Sequence, residues 1–161
     1  MYRAVDVAYK MLQDAKVKRL ELSNLQLQKL LYIAHGYLLA WKNKPLFNDE
    51  ISAWKYGPVI HSVYTQFKDH GSRKIPVDAI DEIETGVNDE DIKAALDGVL
   101  TLYGDRNAME LVNITHQKNT PWDKIWNAEG GSKQLFAEIP NDLIKDHYRK
   151  VIENPSAVSG L

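Results

Sequence analysis

The stretch from Ser23 to Trp41 constrains the fold more than any other. Ser23 and Gln26 have capping-box spacing, in which each side chain satisfies a backbone N–H at the helix start. Leu22 and Leu27 stand at the positions of a hydrophobic staple around that cap. Leu27, Leu30, Leu31, Ala34, Leu38 and Trp41 then recur at helical spacing, an apolar stripe of about five turns. A helix with that much apolar surface reads as central and buried, with the rest of the chain packed around it. His35 interrupts the stripe and is expected to be a hydrogen-bonded core residue. Gly36 costs about 1 kcal/mol in a helix interior relative to alanine. Close approach of another element to its bare Cα would explain that cost.

Other helices follow from the same periodicity. Val5, Ala8, Met11, Leu12 and Ala15 predict a first helix over Tyr2 to Ala15, followed by a basic connector from Lys16 to Leu20. Ile92, Ala95, Leu96, Val99 and Leu102 predict a helix capped by Asn88 and stopped at Gly104. Another spans about Asn107 to Gln117. Thr120-Pro121-Trp122-Asp123 reads as a cap, a first-turn proline and an acid at the third position, opening a short helix through Trp126. The last helix starts near Pro140 or Asn141 and uses Leu143, Ile144, Tyr148, Val151 and Ile152.

Between these lies Trp54-Lys55-Tyr56-Gly57-Pro58. Ile51 to Trp54 reads as a short strand, with Trp54 largely buried. Pro58 reads as the first residue of a helix carrying Val59, Ile60, Val63, Tyr64 and Phe67 and ending near His70 and Gly71. Gly57 would be the hinge. Ile75-Pro76-Val77 reads as a second extended piece. The expected fold is mainly α: a single compact multi-helix domain around a central buried helix, with one small β element. It takes in residues 1–161, with residues 154–161 as a flexible tail.

Charge and composition narrow the function. The formal net charge of −2 gives no global basic field to draw nucleic acid. Absence of cysteine removes disulfides, thiolate nucleophiles and Cys-based zinc sites. Met1 to Met11 is charged and lacks the apolar core of a signal peptide, and no apolar run reaches the ~20 residues of a membrane span. The chain reads as cytoplasmic, with no membrane partner.

The five histidines show no zinc-helix spacing, and no nucleophile elbow, P-loop or dinucleotide fingerprint is present. No catalytic residue, metal or cofactor is expected. A spatially assembled histidine pair, His61 with His116, would be the exception. Asp78 to Asp91 is acidic without a lysine or arginine, and reads as a solvated loop leading into a helix. Its sharper reading is a docking surface at Asp89, Glu90 and Asp91 for a basic partner. Lys16, Lys18 and Arg19, and again Lys42, Lys44 and Lys55, are small basic clusters that keep DNA as an alternative partner.

Several blocks in fixed order resemble the Panacea family of SocA-like antitoxin domains. They are Leu27-Gln28-Lys29-Leu30-Leu31-Tyr32, Ala34-His35-Gly36, Pro45-Leu46-Phe47 and Ala53-Trp54-Lys55-Tyr56-Gly57-Pro58-Val59. Leu111, Thr115-His116 and Pro121-Trp122 look like the family's second block. The resemblance covers about Leu22 to Trp126. It implies an antitoxin that neutralises a cognate toxin by direct, stoichiometric contact, in a phage or prophage setting. Delivery of the toxin to a protease, as an adaptor, is a further implication. The alternative is a phage-encoded regulator that binds DNA or a host protein. The expected partner-binding residues are Lys55, Tyr56, Gly57, Pro58, His61, His116, Lys118, Asn119 and Trp122, together with the acids Asp89, Glu90 and Asp91.

Overall fold

The computed structural model describes residues 1–154. The expected flexible tail therefore lies, but for Asn154, outside the described residues. These residues form seven α-helices and a three-stranded sheet. The helix opened by the capping box is α2, Asn24–Lys42. The Ser23 hydroxyl accepts from the Gln26 N–H, and the Gln26 side chain accepts from the Ser23 N–H at 2.9 Å. Asn43, in the left-handed conformation, ends it.

Around α2 pack α1 (Ala4–Val17), α3 (His61–Phe67), α4 (Glu90–Tyr103), α5 (Ala108–Thr115) and α7 (Asn141–Glu153). The three-residue α6, Pro121–Asp123, continues as one π-helical turn, Lys124–Ala128. Thr120 caps it as expected, accepting from the Asp123 N–H at 3.2 Å. Ala8, Met11, Leu12 and Ala15 of the apolar face of α1 are buried, and Val5 is half-buried. The side chain of the α1 N-cap, Arg3, bonds no helix N–H; the Asp49 carboxylate, 45 residues on, takes the Ala4 N–H at 2.7 Å instead.

Both irregular residues of α2 have structural reasons. A Cβ at Gly36 would fall on the ring of Tyr148 from α7. His35 accepts from the Leu46 N–H at Nδ1 (3.1 Å), so its proton sits on Nε2 and is donated to Asn141 at 2.8 Å. Burial holds this imidazole down at about pKa 4, and it is neutral.

The structure corrects several details. Pro58 does not open a helix. Trp54 to Gly57 form a hairpin turn between β1 (Ser52–Trp54) and β2 (Gly57–Val59), paired antiparallel with Ala53 opposite Pro58. Helix α3 starts only at His61. Proline suits this strand because β2 is at the sheet edge, where a missing N–H breaks no second ladder. On the other side of β1 lies β3, Ala137–Glu138, too short to be recognised in sequence. Asp89 rather than Asn88 caps α4, accepting from the N–H groups of Asp91 and Ile92. Trp41, Leu102 and Ile152, expected inward, are 54%, 63% and 47% exposed. Tyr37, Leu38 and Val99 already fill that side of the core, leaving these three on one shallow apolar surface.

Candidate functional site

The hairpin places most of the expected residues on one side of the molecule. Lys55 and Tyr56 form its exposed tip, with the Lys55 ammonium 5.4 Å from the centre of the Tyr56 ring. Gly57 and Pro58 are buried in β2. His61 begins α3 and meets the rings of Trp54 and Phe136 at 5.9 and 4.7 Å. Trp122 is buried, and its indole N–H donates to the Trp54 carbonyl at 2.6 Å, tying α6 to β1. His116 packs on Trp122 at 4.8 Å, and Trp126 stacks on Trp122 at 5.8 Å. Lys118 and Asn119 are exposed in the turn before α6.

Trp54 departs from the expectation of a largely buried ring. It is only partly covered. Its ring rests against Tyr64 at 5.0 Å and Phe136 at 5.8 Å. The expected cost of Trp54→Ala falls accordingly to about 2 kcal/mol, below the range for fully buried large aromatics. Urea melts of the two proteins measure it; a loss within the experimental error would show that the ring supports nothing.

Beneath the hairpin lies a residue that sequence reasoning left out. Lys29 of α2 is fully buried. Its ammonium donates to the Pro58 carbonyl at 2.7 Å and, among the described residues, forms no ion pair. Burial lowers its pKa from 10.5 to about 7. Gly57 lies directly above: a Cβ there would sit 3.0 Å from the ammonium and 3.4 Å from the Thr115 hydroxyl. With φ of +111° as well, this position needs glycine for two reasons. Gln28 completes the seam by accepting from the Ile60 N–H at 2.8 Å. His116 is shifted down by burial and by the Lys29 charge.

Between hairpin, α2 and α3 runs a groove of about 410 Å³. Trp54, Tyr56 and Tyr64 supply aromatic surface, and Lys29, Lys55 and Lys68 the charge; among the described residues no carboxylate lines it.

The acidic residues belong elsewhere. Asp89 and Asp91 bond the Lys44 ammonium at 2.6 and 3.1 Å, and this contact holds the Asp89 carboxyl below the usual carboxylate range. Asp91 also lies 3.8 Å from Lys42. Lys42 is about 20 Å along α2 from Lys29 at the ordinary helical rise. The structure does not join this cluster to the hairpin. The other basic cluster is likewise met by acids, Lys16 by Asp81 at 3.0 Å and Lys18 by Asp97 at 2.7 Å. Among the described residues no three metal-ligating side chains gather, and no helix is long and apolar enough to cross a membrane.

Fold and site together define a helical domain with a lysine-floored aromatic groove under an edge hairpin. The chain belongs to the family described as antitoxin SocA-like, Panacea domain, which it matches over residues 27–123. It is 38% identical over 151 residues to Antitoxin SocA of Caulobacter vibrioides (strain NA1000 / CB15N), covering 89% of this chain and 80% of that protein. No solved structure matches it. This membership supports an antitoxin role and a toxin partner in general terms.

Proposed function

We propose that this protein neutralises a toxin by direct stoichiometric contact, without turnover, and that the hairpin groove is the contacting surface. The carrying observation is the groove itself. An exposed tyrosine at a hairpin tip beside a concave aromatic wall offers the large, rigid contact area on which protein interfaces concentrate their energy. The same hairpin lies within the residues that define the family. Asp89 and Asp91 are the weaker candidates, because Lys44 already satisfies them.

The test is titration of a toxin, sought first among the reading frames beside this gene, with purified protein. Inhibition that saturates near equimolar ratio supports occlusion. Rescue of many toxin molecules by one would mean turnover and end the reading. Inhibition that needs added protease would make the protein an adaptor instead. Tyr56→Ala is expected to weaken toxin binding about thirtyfold, the effect of losing roughly 2 kcal/mol at an aromatic anchor. An unchanged affinity would move the contact away from the hairpin.

A further inference from the structure

We infer that the groove takes an acidic side chain of the partner protein, a carboxylate on an otherwise apolar segment, held by Lys29 from below and the Trp54 indole N–H from the side. This rests on the reading of the hairpin groove as the toxin-contacting surface.

The reason is an imbalance of donors over acceptors. The Lys29 ammonium has three protons and one recorded acceptor, the Pro58 carbonyl. The Trp54 indole N–H is buried and has no partner among the described residues. An indole nitrogen can only donate. Both residues line the groove, and so do Lys55 and Lys68 at its rim. Among the described residues that line the groove there is no acid to answer them. Buried donors left without an acceptor are costly, and a buried ammonium without a counter-ion more so. An entering carboxylate supplies the missing acceptors and the missing charge together, while Tyr56 and Tyr64 cover its apolar neighbours.

Charge complementarity thus favours an acidic polypeptide over a basic one. Solvent does not reach Lys29 or the Trp54 nitrogen in this conformation, so the occupant has to displace a rim side chain. Tyr56 is suited to this: it is 57% exposed, and its recorded ring contact is with the neighbouring Lys55.

The experiment uses the isolated protein, so its failure leaves stoichiometric neutralisation standing, and a failure of neutralisation leaves its result readable. The probes are the capped dipeptides N-acetyl-Phe-Glu-amide and N-acetyl-Phe-Gln-amide, with the nucleotide AMP as a third arm. The readout is the indole N–H signal of Trp54 in ¹⁵N–¹H spectra, assigned among the four tryptophans by its loss in Trp54→Phe. The glutamate probe is expected to shift this signal saturably in the millimolar range, as small ligands allow, and the glutamine probe to bind about tenfold more weakly. Lys29→Met should abolish that preference, and a melt of the variant shows that it is folded. Equal binding of the two dipeptides, or no shift by either at about 10 mM, overturns the inference, since ligands of this size seldom need more. Tighter binding by AMP also overturns it and makes the groove a nucleotide site. A preference that survives in Lys29→Met removes the lysine from the site.

Discussion

Lys29→Met is expected to be more stable than the parent at pH 6 and less stable at pH 10. In the folded chain Lys29 loses its proton near pH 7, against an ordinary 10.5. Between those values the unfolded chain holds more protons than the folded one, so stability rises with pH across that window. Below pH 7 the fold carries a buried ammonium. At about 1.4 kcal/mol per pH unit, that disadvantage is on the order of 4–5 kcal/mol. Methionine removes it but leaves the buried Pro58 carbonyl without its donor, which costs about 1–3 kcal/mol. The difference between the two proteins should therefore change sign as pH rises. Urea midpoints of both, from pH 6 to 10, measure it, and tyrosine titration affects the two alike. Parallel curves would mean that the lysine is not desolvated, and the groove would lose its charged floor.

The second large effect is expected at Gly36. A methyl group there meets the Tyr148 ring, which is buried against Tyr32 at 6.0 Å and Tyr37 at 5.1 Å and has no free direction to move. Overpacking of this kind costs about 1–3 kcal/mol, occasionally more. Alanine returns about 1 kcal/mol of helix propensity, so a clash at the upper end is needed to decide the sign. Because the clash is with a rigid ring, Gly36→Ala is expected to lose about 2 kcal/mol net. For a chain of this size that lowers Tm by roughly 4–8 °C. Combining it with Tyr148→Leu should restore part of the loss, as contacting sites are not additive. Additive losses would place the strain somewhere other than the ring.

What was legible in the sequence is what depends on neighbours along the chain. The Ser23 cap, the Thr120 cap and the stripe from Leu27 to Leu38 are local patterns, and the structure holds them unchanged. Gly36 was readable because a glycine inside a strong helix needs an explanation. Pro58 was misread because proline suits both a first helical turn and an edge strand, and only the partner strand decides. A two-residue β3 has no sequence signature at all. Lys29 was passed over because lysine is almost never fully buried. Its one local signal was position: Leu25 and Ile33, four residues to either side, put it on an apolar face of α2.

The floor of the groove and the seat of Tyr148 are parts of one helix. Lys29 and Gly36 stand on α2, which is packed on by α4, α5 and α7. The rim is different: Lys55, Tyr56, Tyr64 and Lys68 are exposed and lie outside the core. Substitutions at the rim can accumulate at little expense to folding, while the electrostatic demand from below stays fixed. If the groove is the toxin-contacting surface proposed above, a lineage built on this scaffold could exchange one toxin for another by editing four side chains, provided each new toxin still offers an acid to the same lysine.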